Sequence, residues 1–322
     1  MATKQEIMEA LLADKAKKEQ GGKKVNNGGD NASYPFWNID VGATATVRFL
    51  PDGDLSNTFF WRKREVIKLP FEGVDGGEYP TNKQVTVTVP CMHMWEERCP
   101  IIDATKSWWN DPAKKSLAQT YWKKKSYIFQ GFVVASPFEE ENAPENPIRR
   151  LVINPSIFEI IEKSLLDPEM EDMPTDYIGG VDFRIRKTKK GDYSNYSTSE
   201  WSRKTRSLDD SELTAIEQFK LFDLKEYLGE KPNADRLAAI KQMFQDSVDG
   251  RPFDFQSYGE YYRPFTARGD DGADTSGSTS TFSRAAPAAT AAVVEDTVAP
   301  AAPAPNPHDI LEKIKNRTMN KA

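Results

Sequence analysis

Three short stretches of strict alternation limit what this chain can fold into. In "ATATVRFLP", Ala43, Ala45, Val47 and Phe49 fall on one side of an extended backbone, and Thr44, Thr46 and Arg48 on the other. "VTVTV" (85–89) repeats the pattern, and "VDFRIRK" sets Val181, Phe183 and Ile185 opposite Asp182, Arg184 and Arg186. A period of two marks a strand with one buried face. Strands this short, punctuated by Gly, Pro and Asn, predict an antiparallel barrel or sandwich.

Helical periodicity interrupts the strands. "NPSIFEIIEKSLLDP" predicts a helix opening at Pro155 and Ser156, with Ile157, Ile160, Ile161 and Leu165 inward and Pro168 as its stop. A second helix is expected over roughly 210–228, with Leu213, Ile216, Phe219 and Phe222 as its stripe and Gly229 closing it. A third is expected over roughly 234–248, capped by Asn233, with Leu237, Ile240, Phe244 and Val248 inward. Both stripes read as core packing.

The two ends differ from this body. Thr3 and Glu6 form a capping-box pattern for an N-terminal helix, followed by the Gly/Asn/Lys-rich linker "GGKKVNNGGD". From about 267 the chain is low in complexity and expected to be disordered, ending in the amphipathic "HDILEKIKNRTMNKA" with Ile310, Leu311 and Ile314 apolar. The domain reading is a flexible arm over 1–33, a core over 34–266 with a subdomain around 60–110, and a tail over 267–322 whose terminal helix is a partner hook.

Several function classes are excluded or weakened. No run of 18 apolar residues exists to span a membrane, and the N-terminus lacks the apolar stretch of a secretory signal. Two cysteines in 322 residues point to a reducing, cytoplasmic setting. Two histidines, His93 and His308, and no phosphate-cradling or nucleophile-elbow motif argue against an enzyme. "CMHMWEERC" offers Cys91, His93 and Cys99 as zinc ligands, but a closed structural site takes four. The expectation is no cofactor, with zinc as the alternative.

The net charge of −6 argues against a uniformly basic binder and leaves room for a local basic cleft. "YWKKKSYIF" (121–129) supplies one. Read as a strand, it aligns Tyr121, Lys123, Lys125, Tyr127 and Phe129 on one face, with Trp122, Lys124, Ser126 and Ile128 on the other. Rings alternating with cations suit an unpaired nucleic acid, whose bases stack while its phosphates meet lysine. A lysine-guarded edge strand explains the stretch equally well by itself. The motif recurs, however: Trp108 and Trp109; Arg149 and Arg150; Arg184, Arg186, Lys187, Lys189 and Lys190, followed by Tyr193 and Tyr196. Such repetition in a β-rich chain points to an oligonucleotide-binding barrel. The fold class expected is mainly β with peripheral helices (α+β), an OB-fold-like barrel with a small subdomain. Lys123 and Lys125 are expected to face the nucleic acid with Tyr127, and Lys124 to matter less.

The order of "VRFLP" (47–51), "CP" (99–100), "KKKSY" (123–127), "DYSNY" (192–196) and "LFDLKEYL" (221–228) resembles the single-stranded DNA-binding, helix-destabilising proteins of T-even-type bacteriophages over roughly 34–250. The resemblance implies an OB-fold core with a metal-bearing subdomain, an arm that joins neighbours along the strand, and a tail that recruits replication and recombination proteins. It assigns Lys123, Lys124, Lys125, Ser126 and Tyr127 to the DNA cleft, with Trp109, Tyr193, Tyr196, Arg149 and Arg150; Tyr121, Arg184 and Arg186 join them from the residue pattern. Three departures stand out. The family's zinc has one His and three Cys ligands; here Cys91 and Cys99 match two, Ile102 replaces the third Cys, and no His lies upstream. The arm offers only scattered lysines such as Lys17, Lys18, Lys23 and Lys24. The tail carries seven acids against six bases from 267 onward. Two other readings remain at this point: a non-catalytic protein-interaction adaptor, and a zinc-dependent RNA-binding module.

Overall fold

The computed structural model describes residues 24–25 and 32–264, apart from 78–79 and 171. The expected N-terminal helix, the tail and its terminal helix lie outside the described residues.

Seven antiparallel strands carry the fold: β1 (Thr44–Leu50), β2 (Arg62–Phe71), β3 (Val85–Pro90), β4 (Lys124–Ala135), β5 (Ile148–Ile153), β6 (Val181–Arg186) and β7 (Glu200–Thr205). They run in the order β7-β6-β1-β4-β2-β3, with β5 paired to β4. All three alternating stretches are strands of this sheet. β4 is its hub: residues 124–128 pair with β2, 127–132 with β5 and 130–135 with β1. The described strands do not close the expected barrel, since β7 and β3 end the order unpaired with each other.

Gly131 makes the crossover at β4 work. A Cβ there would lie 2.1 Å from the Arg48 carbonyl oxygen, so the two backbones approach as closely as they do only because the residue has no side chain.

Alternation sorts the sheet into two faces. Odd-numbered residues of β1, β4, β5 and β6, including Phe49, Phe129, Leu151, Ile153, Phe183 and Ile185, meet Tyr34, Phe36 and Phe158 in one core. Phe49 centres it, 4.8 Å from Phe129 and 5.7 Å from Phe183 between ring centroids. A second core gathers Ile67, Leu69 and Phe71 of β2, Val87 and Val89 of β3, Cys91, Cys99 and Tyr121. The even-numbered face packs Leu50, Phe132 and Ile148 against Leu208 and Ala215.

The helices are α1 (Pro100–Thr105), α2 (Lys115–Thr120), α3 (Pro155–Leu165), α4 (Asp210–Phe219) and α5 (Ala234–Val248). The side chains of Asn154 and Asn233 cap α3 and α5, accepting from the N–H of Ile157 and Arg236 at 2.9 Å each. One correction follows. The helix expected over 210–228 stops at Phe219, where Lys220 takes φ +62°, and resumes as a separate 3-10 turn over Leu224–Leu228. The second core also takes in Ile240, Met243 and Phe244 of α5, with Phe253, Tyr258 and Tyr262.

Arg48 ties the sheet to its loops. Fully buried, it donates to Asp182 at 2.8 Å and to the Arg206 carbonyl at 2.8 Å. Arg206 in turn grips Glu212 through two 2.7 Å bonds.

Candidate nucleic-acid interface

The stretch that was read as one strand, 121–129, is two structures. Tyr121 follows α2; its N–H donates to the Leu117 carbonyl at 3.2 Å. Its ring is buried in the second core, 5.2 Å from Phe244, and its hydroxyl meets Ser247 Oγ at 2.9 Å. The strand begins only at Lys124. Tyr121 is thus a core residue with no ring face open to a ligand, and it shares no strand face with Lys123 or Lys125.

The three lysines take three different positions. Lys123 is committed: its Nζ donates to Glu65 Oε2 at 2.8 Å and lies 3.0 Å from His93 Nδ1. Lys63 reaches the other Glu65 oxygen at 2.8 Å. Burial by itself would raise the Glu65 pKa, but the bonds from Lys123 and Lys63 outweigh it and hold the carboxyl below its ordinary value. Glu65 lies on β2 between the residues of the two cores, so this ionic cluster forms a seam between them. Lys124 and Lys125 are exposed. Lys124 Nζ meets only the Gln119 carbonyl, at 3.3 Å, and Lys125 has no carboxylate partner among the described residues. Pairing with β5 starts at Tyr127, so one edge of β4 at 124–126 carries no strand. Lys124, expected to matter less, is open, and Lys123, expected to face the nucleic acid, is held by Glu65.

Trp122 precedes that open edge along the chain and Tyr127 follows it. Tyr127 stacks on Phe158 of α3, centroids 3.5 Å apart and planes within 5°. Trp109 and Trp122 meet edge to face at 5.2 Å, and Trp122 is exposed. Ser126 is buried on β4 directly across from Arg64 of β2, a residue that sequence reasoning passed over. Only the strand register, pairing Arg64 with Ser126, reveals it.

The remaining expected contacts scatter. Arg149 is buried and holds Glu140 through two 2.7 Å bonds. Arg150, on the opposite face of β5, lies with its guanidinium carbon 3.4 Å from the centroid of the Tyr227 ring, and burial pushes its pKa down to about 10. Arg184 and Arg186 are half-exposed, 3.8 and 3.6 Å from Glu200. Tyr193 is exposed on the hairpin pairing Thr188–Lys190 with Tyr193–Asn195, whereas Tyr196 is buried against Phe36. Tyr196 therefore presents no ring for stacking.

The metal candidates are also rearranged. Ligand atoms of Glu65, Cys91 and His93 lie within 4.8 Å of one another. Cys99 instead shares a hydrogen bond with Cys91, both thiols being free; that contact pushes the Cys91 thiol up and holds the Cys99 thiol down. A zinc site here would need deprotonated thiols and free donor atoms. The Lys123 ammonium already engages two of the three donors.

The open strand edge of an antiparallel sheet here carries exposed lysines and the exposed ring of Trp122, an arrangement suited to nucleic acid. The profile of the family described as "gp32 DNA binding protein like" matches residues 42–247. The chain belongs to this family, the single-stranded DNA-binding family of the T4 gp32 type that its sequence resembles. No curated protein matches the chain in sequence. Among the described residues no helix is long and apolar enough to cross a membrane.

Proposed function

We propose that this protein coats single-stranded DNA without regard to sequence during phage DNA replication, recombination and repair. The observation that carries this reading is the open edge of β4, where Lys124 and Lys125 have no carboxylate partners among the described residues and lie between Trp122, which meets Trp109, and Tyr127 along the chain. Lysines at such an edge meet phosphates and release counterions, and ring faces accept any unpaired base. A duplex keeps its base faces stacked, so single strands are preferred.

The protein acts without catalysis and without a cofactor, as the occupied donor set at Glu65 and His93 supports. It works in the cytoplasm of a bacterial host, associates with itself along the strand through the arm, and recruits replication and recombination proteins through the tail. Anisotropy titrations of one labelled sequence as single strand, duplex and RNA test the reading. The single DNA strand should bind far more tightly than the duplex. Equal binding to single strand and duplex would reject it, and tighter binding of RNA would favour an RNA-binding role.

A further inference from the structure

Arg64 breaks a rule that the other buried arginines of this protein keep. Arg48 and Arg149 are held by carboxylates, and Arg150 lies over the Tyr227 ring. Arg64 is only 6% exposed, yet its side chain has no hydrogen-bond acceptor, carboxylate or ring partner among the described residues. Burial alone acts on its guanidinium and pushes its pKa down. Its guanidinium nitrogens are not sealed from solvent, so water serves them in the free protein and an anion arriving from the same side can replace that water.

Its surroundings are those of an anion seat. Ser126 lies directly across the strand pair and is 7% exposed, and its hydroxyl also lacks a partner among the described residues. Lys124 shares the Ser126 face of β4, one alternation away, and is exposed. Cross-strand neighbours stand about 5 Å apart and same-face neighbours about 7 Å apart, within the reach of one tetrahedral anion. The acids nearest along the chain are engaged elsewhere: Asp52 and Asp54 hold Arg62 at 2.9 and 2.5 Å, and Glu65 projects from the opposite face of β2 to Lys63 and Lys123. On this same face, Gln130 bonds Phe222 and Arg150 stacks on Tyr227, so the segment 222–227 covers the sheet beside the seat.

We infer that Arg64 and Ser126 form a preformed seat for one phosphate of the bound strand, with Lys124 closing over it from the open edge of β4. The inference rests on the single-strand reading above. A guanidinium supplies paired donors to a phosphate, and the serine hydroxyl adds a third.

The test compares the full-length wild type with Arg64→Gln and Ser126→Ala, by thermal melting and by oligo-dT titration over a range of salt. Arg64→Gln removes a buried, unpartnered charge, so the free variant should melt no lower than wild type. It should nevertheless lose about tenfold to a hundredfold in oligo-dT affinity and flatten the log–log salt slope by about 0.7. Ser126→Ala should lose less affinity and leave the slope unchanged. Pyrophosphate should raise the melting temperature of wild type and not of Arg64→Gln. If wild type binds oligo-dT with a steep salt response and Arg64→Gln matches it in affinity and slope, the seat is refuted while the single-strand reading stands. If wild type itself shows no preference for single strands, that reading fails first. An Arg64→Gln protein that melts lower, with affinity lost in proportion, would make Arg64 structural and overturn the seat. Stabilisation by pyrophosphate that depends on Arg64, with strand affinity intact in the variant, would assign the seat to a free phosphate and overturn the claim on DNA.

Discussion

At the scale of single residues, partners decide what each lysine of the basic run can do. Lys124→Ala and Lys125→Ala should each weaken oligo-dT binding and lower the salt slope by about 0.7, because each removes one phosphate contact. Lys123→Ala should leave that slope nearly unchanged and instead cost about 1–3 kcal/mol of stability, since it strips a charged hydrogen bond from buried Glu65. Salt-dependent titration of the three variants, with melting curves alongside, separates the two effects. The Glu65 cluster also predicts an acid response. Its carboxyl is held below the ordinary value of 4.5, so the unfolded state binds its proton first as pH falls. The stability it contributes is complete above that value and is lost as pH drops through the lower folded-state pKa. Glu65→Gln should lower the melting temperature at neutral pH and flatten its decline below pH 4.5, which calorimetry across pH 3–7 would detect. A decline as steep in the variant as in wild type would place the acid sensitivity elsewhere.

At the scale of elements, the strand register carries more than propensity does. Gly131→Ala should destabilise the protein strongly, because the new methyl group would sit 2.1 Å from the Arg48 carbonyl in the middle of a paired strand. Arg48→Met should cost about 1–3 kcal/mol, because it removes charged hydrogen bonds to Asp182 and to the Arg206 carbonyl, although Asp182 keeps Arg206. Urea unfolding measures both; a wild-type midpoint for Gly131→Ala would contradict the described pairing of β1 with β4, and one for Arg48→Met would contradict the Arg48 tie to Asp182 and Arg206. These elements also show where sequence reading succeeded and where it stopped. The strands at 44–50, 85–90 and 181–186, and the helices at 155–165 and 234–248, were legible because local period and caps agree with the tertiary environment. The break at Lys220 was hidden, since Phe219 and Phe222 keep a helical spacing across a left-handed residue. Tyr121 was misplaced because the alternation of "YWKKKSYIF" runs unbroken through the end of α2. Only the core contacts to Phe244 and Ser247 set it apart. Arg64 could not be found, because "FWRKREV" sets Arg62, Lys63 and Arg64 side by side and gives no hint that the first two are paired with acids and the third is not.

At the scale of the whole molecule, two cores share one sheet face and are joined by an ionic seam, while the uncommitted cations gather at the edge of the strand that belongs to both. The composition hinted at this only through the recurrence of rings with bases, because a net charge of −6 hides a local basic edge. Of the four clusters seen in the sequence, the structure leaves Lys124, Lys125, Trp122 and Tyr193 exposed and draws Tyr121, Arg149 and Tyr196 inside. Burial is a property of the assembled sheet, so no local pattern could have divided them. The central claim is that this edge binds unpaired DNA mainly through phosphate contacts. The most direct measurement is a titration with oligo-dT at two salt concentrations, followed through the fluorescence of the seven tryptophans. The account predicts quenching on binding, from bases stacked near Trp109 and Trp122, and an affinity that falls steeply as salt rises. An affinity indifferent to salt, or matched by duplex DNA of the same length, would contradict it.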